Sequence, residues 1–295
     1  MSLNFDEFNS VVEVFEKQSL TYKDKPYLWR KLDEKTSYEA ITWQMVRNKV
    51  ESFAGALKNI GILEGDRVVI VSENRPEWQI ADLAIMSIGA ITVPAYTTST
   101  SKDYEYIIKH SGARCAIVSN HELAKKVVPA VANCQNCQNV IKFDSESDKY
   151  DFPVSILYYL ELILEFKQIN LSESISKLKR KDTACIIYTS GTGGNPKGVM
   201  LSHGAMLTNC SGAAYLLKDI LSSLDEIRIL SWLPLSHSYE HTLQFFKMGV
   251  GAQIYYAEGI DKLLINMSEA KPHIMTAVPR FYDSLHTRIS QGLKK

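Results

Sequence analysis

Between Thr189 and Gly198 the chain sets glycines at 191, 193, 194 and 198 among the hydroxyls of Thr189, Ser190 and Thr192, and closes the run with Pro196, Lys197 and Gly198. Glycine tolerates positive φ and leaves backbone N–H groups uncovered, so a loop of this make-up can wrap closely around a phosphate chain. The hydroxyls can donate to phosphate oxygens or reach a bound magnesium ion, and Lys197 can neutralise charge. Anion binding is the chemistry this pattern suits, with Thr189, Ser190, Gly191, Thr192, Gly193, Gly194 and Lys197 as the candidate residues. The pattern is not the P-loop of kinases and GTPases, which needs Lys directly followed by Ser or Thr and then a helix; here Lys197 precedes Gly198 and an apolar run at 199–201. A plain glycine-rich turn needs only one or two glycines and has no use for adjacent hydroxyls and a Pro-Lys-Gly end.

A second constellation, His237, Glu240 and His241, lies inside SWLPLSHSYEHT at 231–242. Its H-x-x-E-H spacing puts two histidines one helical turn apart with a glutamate available as base, the pattern of inverted zinc hydrolases. That rival reading lacks a marked third ligand, and a core or capping histidine at position 237 is the plainer structural alternative. The five cysteines, Cys115, Cys134, Cys137, Cys185 and Cys210, are odd in number and scattered. Cys134 and Cys137 form a C-x-x-C among Asn133, Gln135, Asn136 and Gln138 with no second pair at metal-ligand spacing, which reads as a structurally neutral polar turn.

These residues need a scaffold. From Asp66 onward short β-branched runs alternate with longer helical stretches, the signature of βα units and a mainly parallel sheet. Strands are expected at 67–71, 115–118, 140–143, 184–188, 227–230, 253–256 and 273–277. Helices are expected at 76–88, opened by Pro76, at 205–217 after Ser202 as a cap, at 259–270 and at 279–289. The charged stretch KLKRKD at 177–182 is the best candidate linker, and without interleaved aromatics it makes a poor nucleic-acid patch.

Composition narrows the classes further. With 33 basic and 33 acidic residues among 295, and 45% hydrophobic residues, the chain is built for a large core and not for phosphate-dominated binding of nucleic acid. The opening MSLNFDEFNSVVEVFEKQ lacks the basic-then-apolar pattern of a secretory signal, and the apolar stretch at 80–93 is too short for a membrane span and contains Asp82. A reducing cytoplasm with no transmembrane segment is the expected setting.

At the glycine loop the sequence resembles the adenylate-forming superfamily, whose members share a Tyr-or-Phe, Thr-Ser-Gly, Ser-or-Thr, Thr-Gly-x-Pro-Lys-Gly loop followed by Ser-His. Tyr188, Thr189, Ser190, Gly191, Thr192, Gly194, Pro196, Lys197, Gly198, Ser202 and His203 match, and Gly193 departs where the pattern has Thr. The departure removes one hydroxyl but keeps the N–H, so altered loop flexibility is expected, with binding retained. GDRVVIVSENRPEWQIADLAIMSIGAITVPAY from Gly65, the 231–242 segment and AVPRFYDSLHTRI at 277–289 are similar to long-chain fatty acyl-CoA synthetases.

The resemblance implies an α/β fold of mainly parallel sheets flanked by helices, an incomplete N-terminal domain of the acyl-CoA synthetase/luciferase-like type, with an AMP-binding domain over 10–290. It implies ATP-dependent activation of a long-chain fatty acid to acyl-adenylate and then acyl-CoA, with ATP, Mg²⁺ and CoA as cofactors and cosubstrate. By residue-wise carry-over Thr192 becomes the candidate magnesium contact, and His237 the candidate catalytic group near the α-phosphate and the acyl carboxylate. His241 stands where some relatives have an aromatic gate. No adenine-contacting YGxTE-like segment, ribose-binding acidic motif, hinge or mobile C-terminal domain follows Ile289, so the chain is expected to be inactive alone. A separately encoded C-terminal half and peripheral membrane contact are the further partners the resemblance allows. Two other functions compete: a non-catalytic nucleotide- or acyl-binding protein, and the zinc hydrolase.

Overall fold

The computed structural model describes residues 3–32, 37–145, 150–189, 195–279 and 281–283. Helix α1 (Val11–Tyr22) leads into β1 (Pro26–Arg30), β2 (Glu39–Thr42), α2 (Trp43–Asn59) and β3 (Arg67–Val71). Next come α3 (Pro76–Ser87), β4 (Ile91–Ala95), α4 (Ser101–Ser111), β5 (Cys115–Val118), α5 (His121–Ala132), β6 (Asn139–Lys142) and β7 (Ser155–Tyr158). After α6 (Tyr159–Glu165) and α7 (Leu171–Ile175) the chain forms β8 (Thr183–Thr189), β9 (Lys197–Ser202), α8 (His203–Leu216), α9 (Lys218–Ser222) and β10 (Arg228–Ser231). It then forms α10 (Ser238–Gly249), β11 (Gln253–Tyr256), α11 (Leu263–Ala270) and β12 (Ile274–Met275).

Local chemistry accounts for the helix starts. Ser10, Thr42, Asn120 and Ser202 each accept a backbone N–H three residues on, and Thr100 with Asp103 closes a full capping box ahead of α4. Pro76 opens α3, where its missing N–H costs nothing. Helix α4 stops at Gly112, whose φ of 65° is the left-handed conformation a glycine adopts freely.

Two sheets result. The larger runs β7-β6-β5-β3-β4-β8-β9 and is parallel except for the β8–β9 hairpin; the smaller runs β12-β10-β11-β1-β2 and is parallel except for β1–β2. Strands β10, β11 and β12 pair in parallel, as do β1 and β11, with Leu28 opposite Ile254. Helix α3 is buried along its whole length, Glu77, Gln79 and Asp82 included, and packs on both β1 and β4, so it sits between the sheets. Helices α4 and α5 cover the other face of the larger sheet with their own core of Ile107, Ile108, Val127 and Val131.

The expected strands and the helices opened by Pro76 and Ser202 are present, with β12 shortened to two residues and α11 starting only at Leu263. The helix expected at 279–289 lies mostly outside the described residues. Strands β1, β2, β4 and β7 and helices α1, α2, α4, α5, α6, α7, α9 and α10 were not among the expected elements. The 177–182 stretch is not a linker. Leu178 is buried, Asp182 caps its own turn at Lys179 N, and Arg180 donates to the carbonyls of Phe5 and Phe8. Cys134 and Cys137 do lie in a turn, with Cys137 N donating to Cys134 O, but their thiols point into the core. No described helix is long and apolar enough to cross a membrane.

Candidate active site at the carboxyl ends of two sheets

Strand β8 carries the anion loop at its carboxyl end and β9 brings the chain back, with Thr189 opposite Lys197. Residues Ser190, Gly191, Thr192, Gly193 and Gly194 lie outside the described residues. The stem that holds them is specific in its demands. Gly198 lies opposite Tyr188, and a Cβ there would stand 2.8 Å from Ile186 Cγ2 and 3.3 Å from Tyr188 Cζ, so only glycine lets the tyrosine ring lie across β9.

Helix α4 braces that stem from outside. Tyr106 Oη donates to the carbonyl of Pro196 at 2.9 Å, and its ring meets Tyr188 edge-on with centroids 6.3 Å apart. Burial pushes the Tyr188 phenol up to about 12, so it keeps its proton, and its hydroxyl is hydrogen-bonded to His110 Nδ1 at 2.8 Å.

His237 enters from the smaller sheet, at the end of the loop that follows β10. It is exposed and caps α10: its Nδ1 accepts the N–H of Tyr239 at 3.2 Å. An acceptor at Nδ1 places the proton of the neutral ring on Nε2, the nitrogen left for a ligand. Thr189, Asn195, Pro196, His237 and Ser238 share a cavity of about 530 Å³ with Tyr96, Lys102, Tyr106 and Ile107. The described donor set, a threonine hydroxyl, a histidine N–H and a lysine around one cavity, suits an anionic ligand such as a nucleotide phosphate. No group of three metal-binding side chains occurs among the described residues.

Thr189 and His237 are therefore brought together as candidates. Lys197 is not: it is exposed on β9 and does not line the cavity. The H-x-x-E-H residues also part company. His237 is at the surface, whereas Glu240 is buried against Lys247 Nζ and the hydroxyls of Ser231 and Thr276. His241 is buried against Asp82, Nε2 to Oδ2 at 2.8 Å, with Trp78 edge-on to its ring at 5.1 Å. Burial alone would lower the His241 pKa, but Asp82 and Cys185 outweigh it and lift it to about 10. A glutamate committed to a lysine and an imidazolium committed to an aspartate do not make a zinc site.

The Ser-His that follows the loop is structural. Ser202 caps α8, His203 N donates to Asp182 O, and burial lowers the His203 pKa to about 4 against the pull of Asp182 and Asp82. Tyr96, Lys102, Tyr106 and His110 were missed in the sequence; the capping box at Thr100 and Asp103 was the available signal for the helix that carries most of them.

Thr189, at the root of the glycine-hydroxyl loop, and the helix-capping His237 thus share one cavity where strands of two mainly parallel sheets end. Solved structures agree on the fold. The adenylation domain of a carboxylate reductase from Mycobacterium chelonae superposes with a TM-score of 0.82 at 19% identity, over 97% of this chain and 48% of that one. A long-chain-fatty-acid-CoA ligase from Archaeoglobus fulgidus gives a TM-score of 0.78 at 20% identity, over 96% and 54%. A family model described as AMP-binding enzyme matches residues 15–295, and the chain belongs to that family. Among curated relatives, long chain acyl-CoA synthetase 4 of Arabidopsis thaliana is 31% identical over 97% of this chain and 44% of its own length. The long-chain-fatty-acid–CoA ligase FadD15 of Mycobacterium tuberculosis is 27% identical over 85% and 41%. The chain thus spans less than half the length of these two relatives.

Proposed function

We propose that this chain supplies the nucleotide- and carboxylate-gripping part of a fatty acid–CoA ligase, with residues 10–290 as the AMP-binding unit. The observation that carries the reading is the common cavity of Thr189, at the root of the glycine loop, and His237, whose Nε2–H is left for a ligand. Joining a carboxylate to ATP brings two anions together, and preorganised donors at the point where charge builds up offset that repulsion. Thr189 and the loop 190–194 take the phosphates, with Thr192 as the magnesium contact. His237 donates from Nε2 to the acyl carboxylate or the α-phosphate and exchanges no proton. Ile107 and the rings of Tyr96 and Tyr106 give the cavity its apolar side. When bound, Mg²⁺ neutralises the departing pyrophosphate, and CoA is the thiol that later displaces AMP.

The span of 44% and 41% of these relatives supports a further reading, that these 295 residues alone do not complete thioester formation and work with a separately encoded or otherwise supplied second half. Five buried free thiols support a reducing, cytoplasmic setting, with any membrane contact peripheral.

Calorimetry with ATP·Mg and ATP–pyrophosphate exchange with added fatty acid test the reading. ATP·Mg should bind, and His237→Ala should weaken it about tenfold, the worth of one charge-assisted hydrogen bond. Binding without exchange, even when a relative's second half is supplied, would identify a non-catalytic binder instead. No binding at all overturns the proposal, and robust thioester formation by the chain alone overturns the need for a second half.

A further inference from the structure

The loop between β10 and α10 approaches His237 with no strand or helix of its own, and one side chain from the other sheet holds it. Asn74, half-buried after β3, donates from Nδ2 to the carbonyl of Leu233 at 2.7 Å and accepts the N–H of Leu235 on Oδ1 at 3.1 Å. The amide therefore binds the backbone on both sides of Pro234, much as a neighbouring strand would. Pro234 O in turn accepts the N–H of His237 at 3.0 Å, and His237 O accepts the N–H of His241. Two hydrogen bonds lead from Asn74 to the N-cap of α10. Leu233, Leu235 and Ser236 are buried, so without Asn74 a donor and an acceptor beside them lose their partners.

We propose that Asn74 is a positioning residue for His237: it fixes the 233–237 backbone, and through it the N-cap geometry that keeps Nδ1 on Tyr239 N–H and leaves Nε2–H for a ligand. Asparagine is suited to this because one planar amide offers both a donor and an acceptor; aspartate retains only the acceptor. The functional meaning rests on the reading of His237 as a ligand donor, but the geometry is independent of it, and the test separates the two.

In ¹⁵N-imidazole spectra of the full chain without ligand, His237 should show a single Nε2–H tautomer. Asn74→Ala should mix the tautomers and speed exchange of the His237 amide at least tenfold. Asn74→Asp, which keeps the bond to Leu235 N–H, should do so less and stands in if the alanine variant fails to fold. Val128→Ala, in the core under α5, serves as a control that loosens the protein elsewhere and should leave the His237 signals in place. With ATP·Mg, Asn74→Ala should weaken binding about as much as His237→Ala, and the double variant no more than His237→Ala alone. Unchanged His237 signals in a folded Asn74 variant, or additive losses in the double variant, overturn the proposal. Tautomer mixing without any nucleotide binding by the parent chain upholds it and overturns only the functional reading.

Discussion

The hairpin that carries the anion loop and the helix that carries His237 are held by opposite means. The β8–β9 stem is gripped near the surface by phenol and imidazole hydrogen bonds from α4, Tyr106 to Pro196 and His110 to Tyr188. Helix α10 is anchored in the interior by the ion pair of His241 with Asp82 of α3 and by Glu240, which is paired with Lys247 of its own helix and accepts from the hydroxyls of Ser231 and Thr276. Hydrogen bonds at a half-exposed rim are exchanged with water at low cost, whereas buried charges leave no low-energy alternative. The difference teaches which wall of the cavity resists perturbation more: the His237 side is tied to the interior, and the described stem of β8 and β9 is held at the rim.

Breaking the rigid side should have the largest effect. Asp82→Asn removes the charge that holds buried His241 protonated, so the ion pair is lost, and it should cost about 3–5 kcal/mol in chemical denaturation, while replacing Asp82 and His241 together with leucines should recover most of that. The same pair predicts a pH signature. A histidine raised from 6.5 to about 10 in the folded state stabilises fully below pH 6.5 and loses that contribution as the pH climbs to 10. Stability should therefore fall over that window by at most about 1.4 kcal/mol per pH unit, and the slope should flatten in Asp82→Asn.

Breaking the rim side should cost less stability and more binding. Gly198→Ala pushes a methyl against Ile186 and Tyr188 and should cost about 1–3 kcal/mol, with ATP·Mg affinity reduced in calorimetry because the stem is splayed. The smallest effect is Tyr106→Phe. Losing one half-buried hydrogen bond to Pro196 should cost about 1 kcal/mol and change nucleotide affinity only a few-fold. If Tyr106→Phe proved as damaging as Asp82→Asn, the contrast between the two walls would collapse.

The candidate site was half legible in the sequence. The glycines and hydroxyls of 189–198 announce anion chemistry because the backbone conformation they permit is a local property, and Ser202 announces a cap for the same reason. His237 could be singled out, but not what holds it: Asn74 and Leu233 are 159 residues apart and the bond runs from side chain to backbone, which leaves no mark in the partner's residue type. Asp82 was visible only as an acid interrupting an apolar stretch, and its meaning depends on a histidine 159 positions away. The mainly parallel character of the sheets followed from the alternation of apolar runs. Strands β1 and β2 escaped because β1 contains Pro26 and depends on β11 near the other end of the chain, and β2 begins with Glu39 and pairs only with β1.

That last pairing sets an order of events during synthesis. Strands β3 to β9 span residues 67–202 and find all their partners within that stretch, but Leu28 must wait for Ile254. At ordinary translation rates the delay is roughly 10–45 s, long compared with the collapse of the intervening βα units. The first strand of the smaller sheet thus stays without its parallel neighbour while the larger sheet is already assembled. A ribosome-held chain ending near residue 215 should protect the amides of β3, β4 and β5 from exchange and leave those of Leu28 and Trp29 far less protected, so the N-terminal segment is the part of this protein that a chaperone would meet first.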